Sequence, residues 1–479
     1  MVTNLLMVIR LFFQRGSLML QGLLRSWLGE FKEGELKKFS LLSVIFSLVI
    51  GTYWWLRPLK DGVFTNVVGA LYQPSAKILS LLLVLPLVII YTKLLEYFPR
   101  HRMFYALCCI YGLIALIFAF IMAHPTIGLA NEVADPNRWW GWAWYIYVES
   151  FGSLMVALFW AFTTDITKAE SAPNGFRLIA LGGQVGNILF PFALWKLIEY
   201  YQSCDLDTGR CPDFVMVACI VFAAVLIFSI TGLVYWFMHA IPQEQLEGFK
   251  EEKTVKKKEA GFFEGIRLLF TAPYLLGIFF LITAYEVIVT IFDFNFKVFV
   301  QMANPTAAAT TSYLGQFGFW TGVISLFSVI LGINRIQKII GLGASLMLMP
   351  VLIGVAVVLF TQYQVLPVLF WIMVLSKAVN YALNQPNMKQ LYIPTSNDAK
   401  YKSQAFIEAY GSRGSKAMGS LINNYRKFFQ IKFGAIEGFA YYLSLCMYAS
   451  FGIIGFWLVV AFLMGRTYKK AVQEKHQVC

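Results

Sequence analysis
Charged side chains are scarce in the apolar stretches of this chain, and those that occur there are the residues whose types and spacing could do chemistry. Lys60, Glu149, Lys196, Glu286, Asp293, Lys377, Glu408, Arg413 and Lys416 fall within or at the edge of long apolar runs. An ionisable group at the centre of a membrane-spanning helix costs about 2.5–3.5 kcal/mol on insertion scales, so it persists where it meets a wet cavity, a partner or a ligand. Glu149 has no cation one helical turn away on either side, so its partner comes from another helix, from water or from substrate. Asp293 and Lys297 are four apart and pair on one helical face. Arg413 and Lys416 are three apart with small residues around them, and two neighbouring cations without an adjacent acid favour an anionic ligand. Lys196 sits near the end of its run, where snorkelling accounts for it; Lys60 is open to either reading. Lys60, Arg413 and Lys416 with acids at Glu149 and Asp293 would suit a polyanion whose binding is gated by internal salt bridges. Phosphate-bearing metabolites fit that set better than sugars or cations.

These charges need a framework that keeps them out of lipid. Of the 479 residues, 58% are hydrophobic and 14% charged, and the mean hydropathy is +0.65. Soluble domains run about 45–50% apolar and about 25% charged, so a soluble, disordered or fibrous chain is excluded in favour of an all-α polytopic membrane protein. At about 20 residues per span, apolar windows fall at 39–58, 74–94, 103–123, 140–164, 176–200, 214–241, 273–296, 312–333, 336–360, 363–386, 404–424 and 437–465. The eleventh, rich in Gly, Ser and charge, is the weakest by hydropathy. Twelve spans put both termini on one side. The inner segments carry most of the 39 Lys+Arg when that side is the cytoplasm, giving an N-in/C-in orientation by the positive-inside rule. The same rule accounts for the net charge of +13 without nucleic acid. Arg426, Lys427 and Lys432 are the exception, since they fall in the last outer loop.

The organisation that follows is a cytoplasmic amphipathic N-terminal segment (1–38), a first six-helix half (39–241), a charged cytoplasmic linker (242–272), a second six-helix half (273–465) and a cytoplasmic tail (466–479). The linker reads as a solvated connection, with a surface helix over 260–270. The halves echo each other: Trp54-Trp55-Leu56-Arg57-Pro58-Leu59-Lys60 ends span one and Phe292-Asp293-Phe294-Asn295-Phe296-Lys297 ends span seven. Span five carries Leu181-Gly182-Gly183-Gln184-Val185-Gly186-Asn187, and span eleven carries a Gly- and Ser-rich stretch from Gly411 to Gly419. Repeated six-helix units with small-residue seams point to a major-facilitator-type architecture with substrate bound between the halves.

Other chemistries find little support. The seven cysteines and four histidines lack metal-site spacing, and no metal or cofactor is expected. Cys204 and Cys211 bracket an outer loop, where a disulfide is chemically permitted. There is no HExxH, no GxSxG and no P-loop spacing, which argues against an enzyme, and nothing reads as a channel filter.

The chain resembles the bacterial and plastid nucleotide transporter family, the ATP/ADP translocases of intracellular bacteria and plastids. The resembling stretches are Arg57-Pro58-Leu59-Lys60-Asp61, Phe159-Trp160-Ala161-Phe162-Thr163-Thr164-Asp165-Ile166-Thr167, Asn384-Gln385-Pro386, and Leu391-Tyr392-Ile393-Pro394-Thr395-Ser396 continuing to Lys400-Tyr401-Lys402 and Ser412-Arg413-Gly414-Ser415-Lys416. The resemblance implies four charges important for transport, which by motif fall on Lys60, Glu149, Asp293 and Lys416; the third departs from the family's Glu by one methylene. It further implies ATP import in exchange for ADP, with phosphate as a further cargo, in a bacterial inner membrane. A single chain with two halves needs no partner, so a monomer in the lipid bilayer is the expected unit. Proton-coupled nucleotide import and exchange of other nucleotides are the alternatives that members of this family leave open.

Overall fold
The computed structural model describes residues 34–168, 170–204, 211–246, 269, 271–330, 334–395, 407 and 411–474. Among these residues there is no strand, and twelve long helices carry the fold. In the first half they are α1 (Glu35–Phe64), α2 (Gln73–Tyr97), α3 (Arg100–Ala123), α4 (Trp139–Asp165), α5 (Ala172–Cys204) and α6 (Asp213–Ala240). In the second half they are α7 (Pro273–Ala303), α8 (Ala307–Ile330), α9 (Asn334–Gln362), α10 (Leu366–Val379), α11 (Ser412–Phe433) and α12 (Ala435–Glu474). Each half packs around its own apolar core, built in the first on residues such as Trp144, Phe151 and Phe159 and in the second on Tyr442, Trp457 and Phe294. Large apolar side chains such as Phe120, Val225 and Val459 face outward, as lipid contact requires.

The first and fifth helices of each half meet through small residues, and the seam recurs in both halves. On α5, Gly182 and Gly186 lie against the backbone carbonyls of Ser43 and Ser47 on α1. On α11, Gly419 lies against the carbonyl of Val287 on α7, where an added Cβ would stand 2.7 Å from the oxygen. Only a residue without a Cβ permits backbones so close. Replacing Gly186 by leucine is expected to lower stability by about 1–3 kcal/mol, the usual cost of overpacking. The check is the midpoint of thermal unfolding in detergent, with the exposed Gly232, which meets nothing within 4 Å, as the neutral control.

Three local features depart from the windows read in the sequence. Span eleven, expected at 404–424, is the helix Ser412–Phe433, so Arg426, Lys427 and Lys432 belong to a helix and not to an outer loop. Arg426 is 3% exposed; its guanidinium donates to Asn295 Oδ1 at 2.9 Å and sits 4.5 Å from the Phe439 ring, which is how a cation is tolerated there. The last helix runs on to Glu474, past the expected start of the tail at 466. The first runs to Phe64 and so takes in Lys60 and Asp61. The N-terminal segment to residue 33, most of the linker including its expected surface helix, and Glu408 lie outside the described residues. Cys204 and Cys211 are unbonded, the first exposed and the second buried, so the disulfide the outer loop permits is not formed in this structure.

Candidate functional site
Arg57, Lys60 and Asp61 occupy one face of α1, because residues three and four apart share a helical face. The helix bends its ladder there: Pro58 lies inside it and cannot donate to the carbonyl of Trp54. After Phe64 the backbone widens into a π-turn over Thr65–Gly69, and Gly69 at φ 112° breaks the helix. In the second half α10 passes into a π-turn over Asn380–Asn384 before the helical segment Gln385–Leu391. Pro386 supplies no N–H to the Ala382 carbonyl, and the ladder re-registers upstream of it. Such turns are frequent at functional positions, and this one presents Tyr381 and follows Lys377.

Two groups of charges result. The first is a buried network. Lys60, 4% exposed, pairs with Glu149 on α4 and stands 4.3 Å from the centre of the Tyr145 ring. Asp61 accepts from Gln73 Nε2 at 2.8 Å and pairs with Lys297 at 2.9 Å. Asp293 is shared by Lys297 at 2.9 Å, Lys377 at 2.8 Å and Lys77 at 3.5 Å. Lys60, Lys77, Lys297 and Lys377 thus face Asp61, Asp293 and Glu149, an excess of cation held in low dielectric.

The second group is accessible although it lies inside the bundle. Lys416 is exposed and Tyr53, Arg57, Glu149, Ser153, Glu286 and Arg413 are half-buried. Lys416 interacts electrostatically with Glu286, Glu149, Tyr53 and Arg57, and Tyr381 with Arg57, Glu286 and Lys416. Arg413 donates to Ser153 across the two halves. Side chains surrounded by helices of both halves yet reachable by water line an aqueous cavity. Among the described residues, no carboxylate lies within 4 Å of Lys416, whereas each lysine of the buried network has one.

The two groups lie at different depths along the helices. In the N-in orientation α1 and α7 run outward, so the buried network lies on the outer side of the cavity. There the halves are joined by Gln301 Nε2 donating to the Thr65 carbonyl at 2.7 Å, Lys427 donating to the Tyr72 hydroxyl at 3.1 Å and Gly62 seated against Thr311. Above them a cleft of about 360 Å³, lined by residues such as Asn66, Asn131, Asp213 and Thr306, opens at the outer surface; it is separated from the cavity by the network. In that orientation the conformation is inward-facing.

The structure therefore brings Lys60 and Glu149 into direct contact and puts Glu149 on the cavity wall with Arg413 and Lys416. It places Asp293 elsewhere, among lysines on the outer side. Sequence reasoning missed Arg57, Asp61 and Lys77. The first two stand in the Arg57-Pro58-Leu59-Lys60-Asp61 stretch, whose charges at i, i+3 and i+4 were the available signal; Lys77 gave none, since it sits at a span's end. Lys377 and Glu286 receive their partners only in the folded chain, and Lys196 is exposed and pairs with Glu199 at 2.5 Å.

The sequence model for the TLC ATP/ADP transporter matches residues 20–369 and 362–468. The chain is 27% identical to ADP,ATP carrier protein 1 of Rickettsia typhi, over 94% of this chain and 97% of that protein. It is 26% identical to ADP,ATP carrier protein 1 of Chlamydia muridarum, over 95% of this chain and 93% of the relative. Its fold matches that of a bacterial homologue of the iron transporter ferroportin in its inward-facing state, with a TM-score of 0.61 at 10% identity, over 90% of this chain and 100% of the other.

Proposed function
Since the chain belongs to the TLC ATP/ADP transporter family, we propose that it imports ATP in exchange for ADP across a bacterial inner membrane by alternating access of two six-helix halves. The observation that supports this reading best is the cavity with Lys416, Arg57 and Arg413 on its wall. Lys416 has no close carboxylate among the described residues, so its charge is available to a phosphate. Arginine matches phosphate oxygens through its planar fork, and lysine supplies a compact charge. A triphosphate is drawn to such a wall, and Glu149 and Glu286 limit how tightly it is held, so that it can leave. Lys60 stays with Glu149 in this state and reaches the substrate when that pair opens. The nucleotide is cargo in this reading: the chain needs no cofactor and carries out no reaction of its own. One chain supplies both halves of the cavity, so the transporting unit is a monomer.

The test is uptake of labelled ATP into proteoliposomes that are preloaded with ADP or left empty, with no proton gradient. Uptake confined to the ADP-loaded vesicles is the expected result. No uptake in either, restored by an acid-outside gradient, would establish proton-coupled import, with Glu149 and Glu286, the described carboxylates on the cavity wall, as the groups to test next. Failure in every condition would mean that ATP is the wrong cargo.

A further inference from the structure
The buried network contains an arrangement that substrate binding does not require. Lys297 and Asp293 belong to α7 of the second half, whereas Asp61 on α1 and Lys77 on α2 belong to the first. The contacts between halves run in opposite senses: Asp61 to Lys297 at 2.9 Å, and Lys77 to Asp293 at 3.5 Å. Each half therefore offers one acid and one base to the other. Asp61 is held for this role, because its second oxygen accepts from Gln73 on α2. Asp61, Asp293 and Lys297 are 2–7% exposed and Lys77 is half-buried, its side chain 15% exposed, and the pairs lie between the cavity with Lys416 and the outer cleft. Nothing passes between those two spaces unless this layer parts.

From this placement we propose that the crossed ion pairs Asp61–Lys297 and Lys77–Asp293 form the outer gate, which holds the transporter inward-facing when closed and must break for it to open outward. Electrostatics suits the task better than an apolar seam would. Separating apolar surfaces into water carries a cost that grows with the area exposed. A buried ion pair, in contrast, keeps only a small net advantage over its hydrated ions, because solvation regained on opening offsets most of the lost attraction. Such a contact fixes geometry and partner choice without making the closed state a deep well, as a two-state element needs. Once parted, Lys77 and Lys297 face the outer solution, so the gate that opens toward an anion also presents cations to it. Asp61, Lys77 and Lys297 are then gating residues and not the groups that hold the phosphates in the inward state.

The proposal rests on the alternating-access reading, so its test uses a readout that needs no substrate. Thr311 is buried beside Gly62, one turn below Ala307 and Ala308 of the outer cleft. In a background with all seven cysteines replaced by serine, Thr311→Cys reports on the gate through labelling by a membrane-impermeant maleimide added outside. The key variant is Asp61→Asn/Lys297→Gln. It removes one charge of each sign and leaves Lys60 with Glu149 and Asp293 with Lys77 and Lys377, so no buried charge is orphaned. Labelling is expected to rise several-fold over the parent, and Lys77→Gln is expected to raise it less. Lys297→Arg, which keeps the charge, is expected to stay as slow as the parent. Unchanged labelling in the double variant, in protein that elutes as a single species, would overturn the gate. So would fast labelling in the parent itself. Neither outcome depends on which nucleotide is carried.

Discussion

Lys416→Gln is expected to weaken ATP exchange by about ten- to a hundredfold while leaving the folded protein intact. The size follows from the loss of charge-assisted hydrogen bonds, worth about 1.5–3 kcal/mol when a charged donor meets an anion. The separation of function from folding follows from exposure. Lys416 is accessible in the cavity, no described carboxylate is close enough to pair with it, and its removal leaves Glu286 and Glu149 facing water. Lys60→Gln is different, because Glu149 loses the cation it touches. Initial rates of exchange in proteoliposomes, measured over a range of external ATP, check the expectation. The loss belongs mainly to apparent affinity, and Lys416→Arg retains a larger share of activity than Lys416→Gln. A Lys416→Gln protein with parental kinetics would remove this residue from the phosphate site.

Asp293→Asn is expected to have the largest effect on stability. The carboxylate is shared by Lys297, Lys377 and Lys77, and no other described acid touches Lys377 or Lys77. Its neutralisation strands buried lysines, and breaking a buried pair from one side costs about 3–5 kcal/mol. That is a large part of the stability of an ordinary folded protein, about 5–15 kcal/mol, so the variant should accumulate poorly and unfold early in detergent. The compensating change identifies the cause. Asp293→Asn/Lys377→Met, which also removes the cation 2.8 Å away, is expected to recover part of the lost thermal midpoint without recovering exchange. An Asp293→Asn protein as stable as the parent would mean that the buried lysines do not depend on this carboxylate and that the network does not hold the fold together.

The contrast between these two positions shows how differently the sequence speaks of each. The six-and-six framework follows from apolar runs and from the positive-inside bias, both local or additive properties that survive without knowledge of packing. The α1–α5 and α7–α11 seams follow from small residues at repeated places. The same reasoning failed at Ser412–Phe433, because a hydropathy window weighs Arg426 as a charge in lipid and has no knowledge of Asn295, Phe439 and Tyr442 around it. It stopped α1 short for the same reason. Lys60 and Asp61 look like the end of a span until their partners are known.

What the sequence by itself determined is the class of protein, its two-fold plan and the short set of charges too costly to lie in lipid without purpose. Only the tertiary structure decided which of those charges meet. Lys60 finds Glu149 across 89 residues of chain and Lys377 finds Asp293 across 84, contacts that no helical period encodes. It alone separated the accessible cations at Lys416, Arg57 and Arg413 from the sealed ones at Lys60, Lys297 and Lys377. The physical reason is that a charge's cost in a membrane depends on its distance from an opposite charge and from water, and both distances are set by how helices far apart in sequence pack together.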